Sequence, residues 1–297
     1  MVKKPSIVCF GEVLWDVLPT GKVAGGAPMN VAYQSKSLGC EVQMISAIGN
    51  DDLGKELIAF LNKKGIPINL IQTNYTFPTS TVQVTLNEKG SASYEIVKPV
   101  AWDFIYPDEE RISAVEQADV LLFGSLVCRD EYSRNTLFGL IEKAQKTVFD
   151  VNLRPPHYEL NTLKTLMQQA DFIKFNDDEI FELSAAISGK KLSLEESILF
   201  FAQETKTSNI CVTMGADGAV LFKDNEFVYN KGYKIKVTDT VGAGDSFLAT
   251  LIYQLLMNAS AHTALNNACA IGAIVASKEG ANPIINDKEI QEIMQKN

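Results

Sequence analysis

The segment with the clearest chemical potential is 239–247, DTVGAGDSF, in which small residues lead into a helix. Small residues at a helix start leave backbone N–H groups unpaired, and the helix dipole makes that end partly positive. Gly242, Ala243 and Gly244 therefore predict an anion site that could stabilise a phosphoryl group during transfer. Asp245 follows in the first turn, where a carboxylate is either a catalytic base or a residue that complements the helix dipole.

A second pair of residues, Asn176 and Glu179, lies three positions apart. In a helix the two side chains would share one face. The same spacing is that of a capping box, in which the asparagine caps the helix and the glutamate bonds back to the backbone. On these residues alone, the capping interpretation is favoured.

Residues 239–247 resemble the C-terminal signature of the ribokinase-like (PfkB) carbohydrate kinases. Three further segments resemble motifs of that family in the same order: residues 25–30 its GGxxxN segment, 176–179 its NxxE motif, and 212–215 with Gly218 its nucleotide loop. Four motifs in order are far more specific than any one of them. The resemblance implies a ribokinase-like α/β fold and ATP-dependent phosphorylation of a carbohydrate.

The resemblance also implies roles for the residues already named. Asp245 matches the general base that takes the proton from the attacking sugar hydroxyl, and the N–H groups of residues 242–245 would hold the migrating phosphoryl group. The nearby helix N-terminus should keep this carboxylate ionised at neutral pH. Asn176 and Glu179 match residues that hold water around Mg²⁺ and the ATP phosphates.

For the acceptor sugar, the resemblance implicates Asp16, Gly26 and Asn30. Carboxylate and amide groups suit the recognition of vicinal diols. Asp16 follows the first predicted strand closely, and the alternative interpretation of it is a turn residue. The adjacent GGAPMN sequence favours the sugar-binding role.

Residues 150–154 resemble the DxNxR segment of fructokinase-like members of the family. The resemblance directs Asn152 and Arg154 toward the sugar or the phosphates, whereas the ordinary alternative for Arg154 is a surface salt bridge. Trp102 is expected to line the sugar pocket, with a core position as its alternative.

The resemblance places two more sets of residues. Those expected to border the nucleotide are Thr213, Gly215, Gly218, Asn267 and Ala270. Those that match a monovalent-cation loop are Asp239, the Val241 carbonyl, Val275, Lys278 and Gly280. Ile284 stands where some members use a hydroxyl residue, so activation by K⁺ is a hypothesis.

The elements that must position these residues follow an α/β rhythm. Short apolar runs alternate with segments of helical periodicity, which is typical of βαβ units around a mostly parallel sheet flanked by helices. Strands are predicted at 6–10, 42–49, 119–125, 147–153, 171–175 and 209–215, with a further β-prone run at 233–237. Helices are predicted over 30–38, 53–64, 134–145, 180–187, 243–257 and 261–278.

Residues 80–86 and 91–97 break this rhythm, because they are two β-prone runs joined by a turn at 87–90 that contains glycine. A lone hairpin is marginal in water, so it should pair with other strands, such as one over 12–18. The result would be a small β-sheet lid over the main sheet.

We therefore expect one ribokinase-like domain, residues 1–297, with lid strands inserted at about 12–24 and 74–101. The sequence contains no internal repeats and no Pro/Ser-rich linkers that would divide it. Exposed strand edges in the lid suggest a homodimer formed through the lid.

Composition excludes several classes of protein. With 27 basic and 36 acidic side chains, the net charge of −9 argues against nucleic-acid binding. Five dispersed cysteines without a CxxC pair predict neither disulfides nor a zinc site, and suggest a reducing cytoplasm. No secretory segment or apolar stretch long enough to cross a membrane is present. A GxGxxG sequence, which an NAD-dependent oxidoreductase would need, does not follow the first strand.

The predicted reaction is ATP-dependent phosphorylation of a primary hydroxyl of a free sugar. D-fructose, giving fructose 6-phosphate, is the favoured acceptor because segments 11–16, 101–103 and 150–154 resemble those of fructokinases. Ribose, 2-keto-3-deoxygluconate and nucleosides are alternative acceptors within the family. A non-catalytic sugar-binding regulatory protein is an alternative on the same fold, although the intact Gly-Ala-Gly-Asp sequence favours an enzyme.

Overall fold

Two β-sheets organise the chain in the computed structural model, which describes residues 3–18, 21–86 and 92–295. The strands are β1 (Ser6–Phe10), β2 (Leu14–Leu18), β3 (Gly21–Gly25), β4 (Glu41–Gly49), β5 (Ile71–Asn74), β6 (Ser80–Leu86), β7 (Ala92–Ile96), β8 (Val120–Gly124), β9 (Thr147–Asp150), β10 (Phe172–Asn176), β11 (Ile210–Thr213), β12 (Ala219–Lys223) and β13 (Glu226–Asn230). The helices are α1 (Ala27–Ser37), α2 (Asp52–Lys63), α3 (Glu109–Gln117), α4 (Glu131–Ile141), α5 (Leu160–Gln168), α6 (Asp177–Ser188), α7 (Leu194–Thr205), α8 (Ala243–Leu256), α9 (Ala261–Ala276) and α10 (Asp287–Gln295).

The larger sheet has nine strands in the order β13-β12-β11-β10-β9-β8-β1-β4-β5. Its pairings are parallel from β5 through β11, and β12 and β13 join in antiparallel orientation. The central strands are apolar because both faces are covered; all five residues of β8, for example, are buried. The predicted mostly parallel sheet flanked by helices is confirmed.

The helices divide the core into two layers, one on each face of this sheet. On one face, Leu163 of α5 and Phe201 of α7 pack in a cluster with Phe10 of β1. On the other, Leu248 of α8 and Leu265 of α9 pack with residues of α1 and α2. The layer of α1, α8 and α9 provides most of the predicted catalytic residues, so burial of these helices also positions the site.

The smaller sheet has the order β3-β2-β6-β7 and forms the predicted lid. Strand β2 pairs with β6 in parallel, and β6 with β7 in antiparallel orientation. Leu14 and Val82 provide a small apolar contact within it. The hairpin therefore pairs with the segment after β1, as expected, whereas the predicted turn at 87–90 lies outside the described residues.

One β-prone run forms no strand, and three strands, β5, β12 and β13, were not predicted. The β-prone run 233–237 forms no strand, and directly after it the N–H groups of Thr238 and Asp239 donate to the carbonyl of Ala276. β-Propensity alone therefore did not produce a strand here, where the chain bonds to the C-terminal end of α9 before it enters α8. Two of the strands that were not predicted, β12 and β13, form a hairpin whose turn residues Asp224 and Asn225 both have positive φ.

Candidate active site

The start of α8 has the backbone that the glycine-rich sequence predicts. Gly242 caps the helix with φ 74°, and a Cβ there would lie 2.6 Å from Ala281, so only glycine fits. In the first turn that follows, the Ala243 N–H donates to the Thr240 carbonyl at 3.2 Å, and the N–H groups of Gly244 and Asp245 have no intrahelical acceptor. Gly244 and Asp245 occupy this turn, so the helix presents backbone donors next to a carboxylate.

Asp245 is held by a chain of amides from distant parts of the sequence. Its Oδ2 accepts a hydrogen bond of 2.8 Å from Nδ2 of Asn30, which lies on α1. The Oδ1 of Asn30 accepts in turn from Nδ2 of Asn282, at 2.9 Å. Asn30 is only 4% exposed, so the contact fixes the carboxylate in one orientation. The structure thus brings together the predicted base and a predicted sugar-binding residue.

The electrostatics of Asp245 suit a base that acts near neutral pH. Burial raises its pKa to about 6; the bond from Asn30 opposes this rise, and the Asp150 carboxylate adds to it. The positive charges of Lys174 and Arg154 also favour the ionised form. The carboxylate is therefore mostly ionised at pH 7, as expected, although its pKa is displaced upward because burial dominates.

A buried ion pair lies beneath this helix start. Nζ of Lys174, in β10, is 3.0 Å from Oδ1 of Asp150, at the end of β9, with side chains 7% and 5% exposed. The same Nζ lies 3.6 Å from the position of a Cβ on Gly244. Burial opposes the charged form, but Asp150 and Glu179 hold the pKa of Lys174 above its usual value. A permanent positive charge therefore lies under the predicted anion site.

Asn176 and Glu179 form the capping box that their spacing suggested. Oδ1 of Asn176 accepts from the Glu179 N–H, and Oε2 of Glu179 accepts from the Asn176 N–H, both at 2.8 Å. Oε1 of Glu179 also accepts from the Leu153 N–H at 2.8 Å. The glutamate therefore ties the loop after β9 to the start of α6. Burial raises its pKa, with Lys174 opposing and Asp150 adding to the rise.

The carboxylates here suit a magnesium ion that arrives with a nucleotide. Within the described residues, no group of three or more Asp, Glu, His or Cys side chains could hold a metal by itself. Mg²⁺ bound to nucleotides keeps most of its water and needs only one or two carboxylates. Glu179 provides that donor chemistry, since the nearby Asp150 is paired with Lys174.

The predicted acceptor residues meet at the start of α1. Gly26 has φ 117°, and a Cβ there would collide with the Glu12 carbonyl. A Cβ on the neighbouring Gly25 would collide with Oδ2 of Asp16, so this carboxylate lies against the glycine backbone. Burial raises the pKa of Asp16, and the charge of Arg154 opposes the rise. Asp16 therefore lies against the backbone just before Gly26, as expected, and it interacts electrostatically with Arg154.

Arg154 and Asn152 lie on the loop after β9. Arg154 is exposed and donates from Nη1 to the Leu153 carbonyl at 2.9 Å. It makes no ion pair within the described residues, so the surface salt bridge considered as its alternative role is not observed. Asn152 adopts φ 38°, a conformation that asparagine tolerates better than most residues.

Two predicted site residues lie in the core instead. Trp102 is fully buried, and the guanidinium of Arg129 lies 4.0 Å from its ring centroid. The alternative interpretation of Trp102, a core tryptophan, is therefore the better one. Ala270 is also fully buried on α9, which leaves no surface for a nucleotide. Neither Trp102 nor Ala270 is part of the candidate site.

The predicted nucleotide loop follows β11. Thr213 ends the strand, and Gly215 and Gly218 have φ of 54° and 87°. A Cβ on Gly218 would collide with the Asn230 carbonyl, so the turn requires glycine. Asn267, on α9, uses Nδ2 to bond the Thr263 carbonyl one turn earlier, at 2.8 Å.

The predicted cation loop is closed around Asp239. Its Oδ1 accepts from the Val241 N–H and its Oδ2 from the Gly280 N–H, both at 3.0 Å. The Val275 carbonyl accepts from the Lys278 N–H at 3.0 Å, at the end of α9. The structure therefore joins the segments of the predicted loop through Asp239 and the end of α9.

Sequence reasoning missed three residues of this region. Glu12 is 4% exposed; its Oε1 accepts from the Ala27 N–H at 3.3 Å, and its Oε2 has no partner among the described residues. Burial raises its pKa to about 7, and neighbouring N–H groups and Arg154 oppose the rise. The other two are Lys174 and Asn282. A lysine inside an apolar strand and a glutamate two residues after one were the available signals.

A mostly parallel α/β sheet, a helix that begins with unpaired backbone donors, and a buried carboxylate beside them are the features of a phosphotransferase. The chain belongs to the pfkB family of carbohydrate kinases, whose family model matches residues 3–288.

Individual relatives agree with this assignment. The chain is 28% identical to probable fructokinase-3 of Arabidopsis thaliana, over 95% of this chain and 89% of that protein. It is equally similar to fructokinase-2 of Solanum lycopersicum, over 94% and 92%. Among solved structures, fructokinase from Vibrio cholerae in a fructose-, ADP- and calcium-bound form matches with a TM-score of 0.84, 24% identity and coverage of 98% and 99%. This last match supports the fold.

None of the helices in the described residues is both long and apolar enough to cross a membrane.

Proposed function

We propose that this chain transfers the γ-phosphoryl group of ATP to a primary hydroxyl of D-fructose, giving fructose 6-phosphate. The observation that carries the proposal is the Asp245 carboxylate, fixed by Asn30 beside the backbone donors of α8. The choice of fructose is supported by the similarity to proteins named as fructokinases and by a neighbour that binds fructose and ADP.

In the proposed mechanism, Asp245 accepts the proton of the attacking hydroxyl. Its pKa of about 6 leaves it ionised at neutral pH, yet basic enough to assist the transfer. Asp16 and Asn30 bind the other hydroxyls of the sugar, beside the closely packed Gly26. The lid and the site loops exclude water, which would otherwise compete with the sugar for the phosphoryl group.

The chain's own positive groups stabilise the migrating phosphoryl charge. N–H groups of residues 242–245 bond its oxygens, and Lys174 acts on it from below. Arg154 approaches from the loop after β9, where it also lowers the pKa of Asp16 and Asp245. Thr213, Gly215, Gly218 and Asn267 border the nucleotide in this proposal.

A magnesium ion bound together with ATP would supply neutralisation of the phosphate charge. Glu179 would hold its water from the start of α6, with Asn176 completing the capping box that fixes the glutamate. Asp150 remains engaged with Lys174.

A K⁺ ion bound near Asp239, Val241, Val275, Lys278 and Gly280 is part of the proposal. Both Asp239 oxygens accept backbone bonds, so carbonyl oxygens of this loop would be the ligands. Equal rates in potassium and in tetramethylammonium would exclude this site.

The lid edges β3 and β7 are the proposed homodimer contact, which light scattering would test. A cytoplasmic location remains a prediction from the sequence.

The test is an assay of ADP formation with D-fructose, ribose, 2-keto-3-deoxygluconate and a nucleoside as acceptors. We expect the highest kcat/KM with fructose. Asp245→Asn should lower kcat by roughly 10²–10⁴-fold. Asp52→Asn, which removes an exposed carboxylate from the first turn of α2, should keep the wild-type rate. Preference for another acceptor would overturn the choice of fructose, and turnover of none would overturn the kinase activity itself.

A further inference from the structure

Two hydrogen bonds connect Asn282 to the proposed base, Asp245. Nδ2 of Asn282 donates to Oδ1 of Asn30 at 2.9 Å, and Nδ2 of Asn30 donates to Oδ2 of Asp245 at 2.8 Å. The first bond spans 252 positions of the sequence and the second spans 215. Side chains from the C-terminal segment, α1 and α8 therefore form one chain of hydrogen bonds that ends on the base.

The chemistry of the three groups fixes the direction of donation along this chain. An ionised carboxylate only accepts hydrogen bonds, whereas an amide donates from its nitrogen and accepts at its oxygen. Asp245 is mostly ionised at pH 7, so Asn30 must turn its nitrogen toward the carboxylate and its oxygen toward Asn282. Asn282 in turn must present its own nitrogen. Both amides therefore have one favoured orientation.

Protonation of Asp245 removes this constraint at one end of the chain. A neutral carboxyl group carries an O–H donor, so it can bond either orientation of the Asn30 amide. A reversed Asn30 amide would accept from the protonated carboxyl through Oδ1 and stabilise it. The reversal would also bring Nδ2 of Asn30 against Nδ2 of Asn282, where two donors meet without an acceptor. Asn282 therefore opposes the orientation that favours the protonated base.

The surroundings of Asn282 hold its own amide in place. Oδ1 of Asn282 is buried and has no hydrogen-bond partner in the part of the chain that the structure describes. Reversal of both amides together would put an NH₂ group, with two donors, in this unpaired position, which is costlier than an unpaired oxygen. The backbone is also fixed, because the Gly280 N–H donates to Asp239 and Ala281 packs against Gly242.

We propose that Asn282 is a positioning residue of the kinase reaction, which holds the Asn30 amide so that its N–H group, and not its oxygen, faces Asp245. The kinetic consequence of this inference rests on the proposed function, whereas the amide orientation does not require a substrate. When Asp245 has taken the proton of the sugar hydroxyl, Asn30 offers that proton no acceptor. The proton then passes to water, and the base returns to its ionised form.

The test measures the pKa of Asp245 in the full-length protein without sugar or nucleotide. The carboxyl carbon NMR signal of Asp245, assigned with Asp245→Asn, is followed between about pH 4 and 9. Asn282→Leu has a similar shape and no amide, so the Asn30 amide becomes free to reverse. The hydrogen bond that it then accepts from the protonated carboxyl should raise the pKa of Asp245 from about 6 to about 6.5–7. Asn282→Ala should act in the same direction, and it tests the proposal if leucine disturbs the fold.

Asn69→Leu is the matched control. Asn69 is exposed outside the candidate site, and its Nδ2 donates to Glu110 at 3.2 Å, so this variant also removes an amide from a carboxylate. It should leave the pKa of Asp245 unchanged. All of these substitutions retain the charged groups that act on Asp245, namely Lys174, Asp150, Arg154 and Glu12. A difference between them therefore reports on the amide chain.

The double variant Asn30→Leu/Asn282→Leu tests whether Asn282 acts through Asn30. Asn30→Leu alone removes the hydrogen bond to Asp245 and should raise its pKa. If the amide chain is the connection, Asn282→Leu has no further effect in the Asn30→Leu protein, whereas a general change in the fold would add equally in both backgrounds.

Kinetics with D-fructose provide a second measurement. Because a higher pKa leaves less of the base ionised, kcat/KM of Asn282→Leu at about pH 6 should fall roughly two- to fivefold. At about pH 8.5 the base is ionised in both proteins, so kcat/KM should match that of the wild type. A defect that persisted at high pH would indicate structural damage instead.

Two results would refute the proposed role of Asn282. One is an unchanged pKa of Asp245 in Asn282→Leu and Asn282→Ala. The other is an equal rise in pKa with and without Asn30, which would show that residues 280–282 act through the fold and not through the amide. If the NMR results are as expected but the wild-type protein phosphorylates no sugar, the proposed function is wrong and the orientation of the amides stands.

Discussion

Replacing Lys174 by methionine leaves the Asp150 carboxylate buried without the ammonium that bonds it at 3.0 Å. Methionine has a similar length and no charge, so the substitution removes the electrostatics with little change in packing. Two effects should follow, one on stability and one on catalysis, and they can be separated.

The stability effect comes from the buried pair. Removing one partner of such a pair typically costs about 3–5 kcal/mol, whereas replacing both by apolar residues is about neutral. With side chains only 7% and 5% exposed, solvent offers Asp150 little compensation. Lys174→Met should therefore lower the free energy of unfolding by about 3–5 kcal/mol, and the double variant Lys174→Met/Asp150→Leu should recover most of that loss.

The catalytic effect comes from the position of Nζ beneath Gly244. A unit charge about 6 Å from the phosphoryl group, at an effective dielectric constant of about 20, contributes about 3 kcal/mol. That energy corresponds to roughly 100-fold in kcat. Loss of the charge also raises the pKa of Asp245 further, so the low-pH limb of the rate profile should move to higher pH.

Urea unfolding and steady-state kinetics of both variants measure the two effects. The double variant should regain stability while its kcat recovers only in part, because the opposing Asp150 charge is removed but the ammonium under the anion site is still absent. If the double variant instead recovered both stability and kcat, Lys174 would have only a structural role, and the electrostatic reasoning would be refuted.

Three further outcomes are expected. Because the pKa of Asp245 is about 6, kcat/KM should fall about tenfold per pH unit below that value, and a flat profile down to pH 5 would contradict the assignment of the base. Gly242→Ala must adopt φ 74° against Ala281, so thermal melting should show a loss of roughly 1–3 kcal/mol, together with a loss of activity. Burial raises the pKa of Glu12 to about 7. Protonation of Glu12 therefore stabilises the folded state fully below about pH 4.5, and this contribution is lost as the pH rises through 7. Glu12→Gln should therefore be more stable than the wild type at pH 8 by up to about 3 kcal/mol, and unchanged stability in denaturant titrations would count against it.

The sequence predicts the main sheet and the lid well because both depend on local patterns. Alternating apolar runs and helical segments define the parallel strands, and an isolated hairpin must find partners. The hairpin of β12 and β13 was not predicted, because β12 begins directly after the nucleotide loop. Residues 233–237 show the opposite case, because they have β-propensity but no neighbouring strand to pair with, and they form no strand.

Within the site, motifs identified residues but not their contacts. Asp245 and Asn30 were both predicted, yet the hydrogen bond between them joins positions 215 residues apart. The pairing of Lys174 with Asp150 likewise depends on neighbouring strands and has no sequence spacing of its own. The sequence alone does not distinguish a core position of Trp102 from a position in the sugar pocket, whereas its burial in the structure does.

The bond between α1 and α8 has a consequence for the synthesis of the protein. A nascent chain that ends before residue 239 contains the strands of both sheets and Asn30, but lacks Asp245 and α8. In such a chain the side-chain amide of Asn30 has no carboxylate to bond. Because Asn282 also bonds Asn30, the hydrogen bonds that orient Asp245 form only when nearly the whole chain has left the ribosome.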